Sequence, residues 1–167
     1  MDEALWGTCE ESLGLAGMSF LVLWIFLPGF LVNTFAMMWG KWLPKTGYGP
    51  WPIDGGRTAW DGNRLLGDGK TWNGLVGGSL TSGLLMVVMA SAVDTGEACG
   101  IFVDPLLDHD ASMSRGLWAF IVGSSLGFFS LLGDMTGSFF KRRRGLKREG
   151  DVSSKAPLLD TLPFAMM

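Results

Sequence analysis

Charge is missing from three long stretches of this chain, and that absence constrains the fold more than any other feature. Ser12 to Gly40 is 29 residues without Asp, Glu, Lys or Arg, Thr71 to Val93 is 23, and Gly116 to Gly133 is 18, with apolar character resuming after Asp134 as far as Phe140. A helix needs about 20 apolar residues, at ~1.5 Å rise each, to cross the hydrocarbon of a bilayer. A chain of 167 residues, only 17% of them charged, has no way to cover three uncharged helices as a soluble core. The expected architecture is therefore all-α: a polytopic transmembrane helical bundle forming a single domain over 1–167, with spans at about 13–39, 72–93 and 116–140. A fourth apolar segment, 157–167, holds Asp160 and stops too early to span, so it reads as the start of a further helix. The acidic beginning and the length of the first run argue against a cleavable signal peptide.

Basic residues are distributed unevenly between the connecting segments. The N-terminal arm has none, the segment from Lys41 to Lys70 has five, the segment from Asp94 to Arg115 has one, and the segment from Lys141 to Lys155 has seven. By the positive-inside rule the N-terminus is outside, and loops 41–71 and 141–156 are cytoplasmic in a multi-pass protein of the cell membrane. Within the first span, Pro28 should kink the helix, and Asn33, a polar group at membrane depth, should face protein or a cavity. Gly74-x-x-x-Gly78, Gly123-x-x-x-Gly127 and Gly133-x-x-x-Gly137 read as close helix packing, within the chain or in an oligomer. Cys9 and Cys99 fall on the outer side, where a disulfide is permitted, and His109 reads as an ordinary outer-loop residue.

The first basic loop carries the chemistry. Pro52 to Gly74 interleaves Asp54, Asp61 and Asp68 with Arg57, Arg64 and Lys70, among too many glycines for any helical or strand period. Asp134 lies at the inner end of the third span, where a carboxylate is costly unless it is paired, metal-bound or near water, and Ser138 and Lys141-Arg142-Arg143 follow at once. Carboxylate oxygens suit Mg²⁺, cations clamp phosphate oxygens, and glycine-flanked amides let a phosphate chain approach. Together these are the tools of phosphoryl or nucleotidyl transfer, in which catalysis is mostly positioning and charge neutralisation. No histidine lies on this side to act as a nucleophile or base. Two superficial matches fail on spacing. Gly69-Lys70-Thr71 ends like a P-loop, but Arg64 stands where that motif needs its first glycine. Asp61-Gly62-x-Arg64 is shared with CDP-alcohol phosphotransferases, but their further aspartates at helical spacing are absent.

The combined pattern resembles archaeal CDP-archaeol synthases. Pro52-Ile53-Asp54-x-Gly56-Arg57 with Asp61-Gly62-x-Arg64-x-x-Gly67-Asp68-Gly69-Lys70-Thr71-x-x-Gly74 looks like their first cytoplasmic loop. Gly133-Asp134-x-x-Gly137-Ser138-Phe139-x-Lys141-Arg142-Arg143, with Gly145-Leu146-Lys147-Arg148 and Pro157-Leu158-Leu159-Asp160, looks like their second. The Ser-x-x-Lys-Arg core is also similar to CDP-diglyceride synthetases. The resemblance implies a cytidylyltransferase whose two cytoplasmic loops form the active site. It would move CMP from CTP to an isoprenoid lipid phosphate, digeranylgeranylglyceryl phosphate, with Mg²⁺ as cofactor. The implied partners are CTP, that lipid and the bilayer, with no nucleic acid. The resemblance implies Asp68, Lys70, Asp134 and Lys141 as catalytic and Asp68, Asp134 and Asp160 as metal ligands. Lys70, Lys141, Arg142 and Arg143 are implied at the triphosphate or the lipid phosphate, and Asp54, Arg57, Asp61, Arg64, Thr71 and Ser138 are implied to bind substrate with roles the motif does not separate. Two departures stand out: Arg57 occupies a position where lysine is expected, and Asn73 one where arginine is common. The family layout also has five spans, with a hydrophobic hairpin after the Asp160 region, whereas this sequence stops at Met167. The competing reading is a non-catalytic membrane protein that binds anionic lipid or nucleotide through its basic loops. A small transporter subunit would want charges within the spans, which only Asp134 approaches.

Overall fold

The computed structural model describes residues 3–93, 102, 104–106 and 113–144, with side chains from residue 14 onward. The order is α1 (Glu3–Ile25), α2 (Leu27–Trp42), α3 (Trp72–Ala92) and α4 (Arg115–Arg143), with a 3₁₀ turn, Leu43–Thr46, after α2. Among the described residues pairing of β type is confined to two isolated bridges, both in the loop between α2 and α3. α3 and α4 are each long and apolar enough to cross a membrane. Gly14–Ile25 and Leu27–Thr46 meet at a 47° bend and make a third candidate span if taken together.

The bend falls where the proline requires it. Pro28 sits in the first turn of α2, where a missing N–H costs little, and the helix breaks at Phe26. The Pro28 carbonyl is used from outside the helix: the Ser82 hydroxyl of α3 donates to it at 3.1 Å. α3 begins at Thr71, whose Oγ1 accepts the Gly74 N–H at 3.1 Å.

α3 packs against both α2 and α4, and small residues set the approach. A Cβ on Gly74 would lie 2.9 Å from the Ala36 carbonyl oxygen of α2, and one on Gly127 would lie 2.8 Å from Ser82 Cβ of α3. The glycine pairs at 74/78 and 123/127 thus do what their spacing suggests. Val32, Leu75 and Leu131, one from each of the three helices, form a buried cluster. Ile53 of the α2–α3 loop packs onto that cluster, seating the loop on the helix ends. The loop is therefore part of the folded body and shares its core.

α4 continues past the apolar run expected to end at residue 140. Lys141, Arg142 and Arg143 form its last turn, where cations meet the negative end of the helix dipole. This corrects the expectation that residue 141 opens a loop. Cys9, Cys99, His109, Lys147, Arg148, Asp160 and the segment 157–167 all lie outside the residues whose side chains are described.

Candidate active site

The loop is built as two nested hairpins. At its base the Ile53 N–H donates to the Lys70 carbonyl and the Trp72 N–H to the Trp51 carbonyl, both at 2.9 Å. At its tip the Leu65 N–H donates to Arg57 at 3.1 Å and the Ala59 N–H to Asn63 at 2.9 Å. Gly67 turns the chain back at φ +95°, a conformation open to glycine at little cost. The Arg142 guanidinium packs beside it, with Nη2 3.4 Å from where a Cβ would stand.

Asp54 is the hub of this loop. Its side chain is fully buried. Oδ1 accepts from Gly56 N at 3.0 Å and Arg64 Nη2 at 2.7 Å. Oδ2 accepts from Gly67 N at 3.0 Å, Leu66 N at 3.2 Å and Arg64 Nε at 3.3 Å. Burial alone would push this carboxyl up; Arg64 and the amides of Gly67, Gly56 and Leu66 outweigh it and hold the group far below the usual carboxylate range. The same contacts, Asp54 first and Asp68 second, raise the Arg64 guanidinium above its ordinary value. Asp54 and Arg64 thus spend their side chains on shaping the loop.

Arg64 also reaches the cavity side, where Nη1 lies 2.5 Å from Asp68 Oδ1. Asp68 is otherwise open, with its side chain 75% exposed. Two residues on, Lys70 Nζ pairs with Asp134 Oδ2 of α4. This contact joins the loop to the third apolar run and supplies the partner an intramembrane carboxylate needs.

Asp68, Lys70, Asp134, Ser138, Lys141 and Arg142 all line one cavity of about 950 Å³ between α2, the loop and α4. Thr71 borders it while its hydroxyl caps α3. Asn33 opens into it from α2, as a polar residue at that depth should. Met37, Leu75, Leu131 and Met135 add an apolar wall beside the charges. The cavity can therefore receive an amphiphile with an anionic head. Asp68 and Asp134 offer carboxylate oxygens to a hard cation, and among the described residues no group of three His, Cys, Asp or Glu side chains comes together. Two carboxylates with room for phosphate oxygens suit Mg²⁺, which keeps several waters and uses few protein ligands.

Three other expected residues stand away from this cavity. Arg57 is exposed and lines a second hollow of about 640 Å³, bounded also by Leu65, Trp72 and Phe139. Asp61 Oδ1 and Oδ2 each accept from Asn63, at 3.1 Å, and this pairing first, then Arg143, lowers its pKa. Arg143 contacts the hairpin tip, where Nη2 donates to the carbonyls of Arg64 at 2.7 Å and Asn63 at 3.2 Å. Trp60 and Asn63 escaped the sequence reading, and Phe139 stood in the second motif without a role, although the four-residue step from Phe139 to Arg143 already places those two on one helix face. Asn73, at the position where the resemblance makes arginine common, is buried and donates to the Tyr48 carbonyl at 3.2 Å, fixing the turn after α2.

Bent and straight apolar helices around a cavity lined by carboxylates and cations define the class: a helical membrane protein with a charged cavity at its loop end. A family model described as CarS-like, CDP-archaeol synthase, matches residues 15–167. The chain belongs to that family. CDP-archaeol synthase of Methanosarcina barkeri is 40% identical over 143 residues, covering 84% of this chain and 70% of the relative. The synthase of Thermococcus kodakarensis is 36% identical, over 81% of this chain and 66% of the relative. That of Archaeoglobus fulgidus is 34% identical, over 87% and 69%. Among solved structures, an intramembrane enzyme for archaeal membrane lipids biosynthesis is similar at 30% identity and a TM-score of 0.57, over 87% of this chain and 71% of its own.

Proposed function

We propose that the chain is a CTP-dependent cytidylyltransferase that forms CDP-archaeol for archaeal phospholipid synthesis. A phosphate oxygen of an isoprenoid glycerol-phosphate lipid attacks the α-phosphorus of CTP, the α–β phosphoanhydride bond breaks, and pyrophosphate leaves. The observation that carries this reading is the single cavity in which Lys70, Asp134, Asp68, Lys141 and Arg142 meet beside an apolar wall. Lys141 and Arg142 would hold phosphate oxygens, and Lys70 would join them when the nucleotide competes with Asp134 for its ammonium. Asp68 and Asp134 would hold Mg²⁺, whose chemistry when bound is to neutralise triphosphate charge and polarise the α-phosphoryl group. Asp160 is a third candidate ligand from the segment outside the described residues.

The charge-free stretches support three complete spans, and the basic-residue distribution supports a topology with the N-terminus outside and both basic segments cytoplasmic, in which the cavity mouth would open where CTP is found. The α2–α3 loop and the end of α4 together would form the active site in a protein of the cell membrane. Pyrophosphate release by the purified protein in detergent should require CTP, the lipid phosphate and Mg²⁺ together. Tight CTP or lipid binding without turnover would favour the non-catalytic binding protein instead.

A further inference from the structure

We propose that Arg143 is a positioning residue which locks the loop to α4 from behind the helix, rather than one of the cations that hold substrate; the proposal rests on the cytidylyltransferase reading for its kinetic consequence only. The basic run Lys141-Arg142-Arg143 reads as one patch, but a helix turns about 100° per residue. Measured from Asp134, Ser138 and Lys141 fall within about 40° of it, Arg142 within about 80°, and Arg143 at about 180°. The contacts follow that division. Asp134, Ser138, Lys141 and Arg142 line the large cavity, whereas Arg143 and Phe139 meet the hairpin tip on the opposite side.

At that tip the Arg143 side chain is nearly enclosed. Its guanidinium carbon lies 4.9 Å from the Phe139 ring centre and 5.5 Å from that of Trp60, and the two rings are 6.3 Å apart. A guanidinium lying over two rings that meet edge to face gains cation–π attraction and is shielded from water. Nε lies 3.0 Å from Asp61 Oδ2, close enough for an ion pair but without hydrogen-bond alignment. Nη2 donates to two carbonyls, and one of these belongs to Arg64. The side chain of Arg64 runs the other way, to Asp54 and Asp68. The loop therefore straddles the end of α4: residues 68–71 face the cavity, and 60–64 are pinned at the back by Arg143. Freeing the tip would let Arg64 move, and with it the orientation of Asp68.

Hydrogen exchange and steady-state kinetics on the full-length protein in detergent test this. Arg143→Ala should speed amide exchange across 58–66 by tenfold or more and lower kcat by a similar factor, while KM for CTP changes less than twofold. Arg143→Lys should restore only part of the rate, because an ammonium keeps charge but not the planar fork. Asp61→Asn added to Arg143→Ala should cost less than a further twofold, since the two act through one contact. Trp60→Ala, which leaves α4 unchanged, should move exchange in the same direction and serves if Arg143→Ala does not fold. A tenfold rise in KM for CTP or lipid with unchanged exchange in 58–66, or full additivity with Asp61→Asn, would overturn the proposal. Exchange needs no turnover, so failure of the enzymatic reading would leave the lock itself testable.

Discussion

Replacing Asp54 by asparagine should open the α2–α3 loop while the helices stay folded. Five donors converge on the two Asp54 oxygens, two of them from Arg64 and three from backbone amides. An asparagine keeps one acceptor oxygen and turns an NH₂ group toward donors. In its better orientation the oxygen serves Leu66, Gly67 and Arg64 Nε, and the NH₂ then faces the Gly56 amide and Arg64 Nη2. Charge-assisted bonds contribute about 1.5–3 kcal/mol each, and breaking a buried ion pair costs about 3–5 kcal/mol. Arg64 is about a third exposed and can turn to water, so the lower end applies, about 3 kcal/mol. That corresponds to a roughly 100-fold larger open population of the loop. Hydrogen exchange read by mass spectrometry should show lost protection across 55–67 with α3 and α4 unchanged, together with a matching fall in activity. Unchanged protection and full activity would refute the hub.

Further outcomes follow from the same geometry. The folded-state pKa of Asp54 is depressed, so its contribution to stability is complete above the ordinary aspartate pKa of about 3.9 and declines as pH falls below it; the loop's protection relative to intrinsic exchange should stay constant from pH 7 to about 4, then fall, and the Asp54→Asn variant should lack that fall. Asp68→Asn should lower kcat at least 100-fold with an unchanged melting temperature, because the Asp68 side chain is mostly exposed and among the described residues is held by Arg64; near-normal activity would remove it from the metal site. Lys70→Met should abolish activity and also lower the melting temperature by a few degrees, since Asp134 is left unpaired between helices. Gly127→Leu should prevent α4 from seating on α3, visible as aggregation or loss of a monodisperse peak in size-exclusion chromatography, because a Cβ there already falls 2.8 Å from Ser82 Cβ.

The spans were legible because a bilayer imposes one simple demand, a long stretch without charge, and helices α3 and α4 meet it. Pro28 and the glycine pairs were equally readable, since a missing N–H and a missing Cβ act locally and in known directions. The loop was legible as a charged element, but the individual roles in it were not. An aspartate buried under three amides and one facing a cavity carry the same letter, and Asp54 and Asp68 differ only in the contacts that the fold brings to them. Arg143 is a different case. Helical period separates it from Lys141 and Arg142 once α4 is known to run through Arg143, and an expected helix end at 140 concealed that separation.

The most direct measurement follows two labels through one reaction. The protein is reconstituted into vesicles containing the isoprenoid lipid phosphate and given CTP labelled at either the α- or the γ-phosphorus. The account predicts that the α-label appears in the lipid fraction and the γ-label in pyrophosphate, in equal amounts, with both lost in Asp134→Asn. An α-label that stays water-soluble, or a γ-label that reaches the lipid, would contradict cytidylyl transfer.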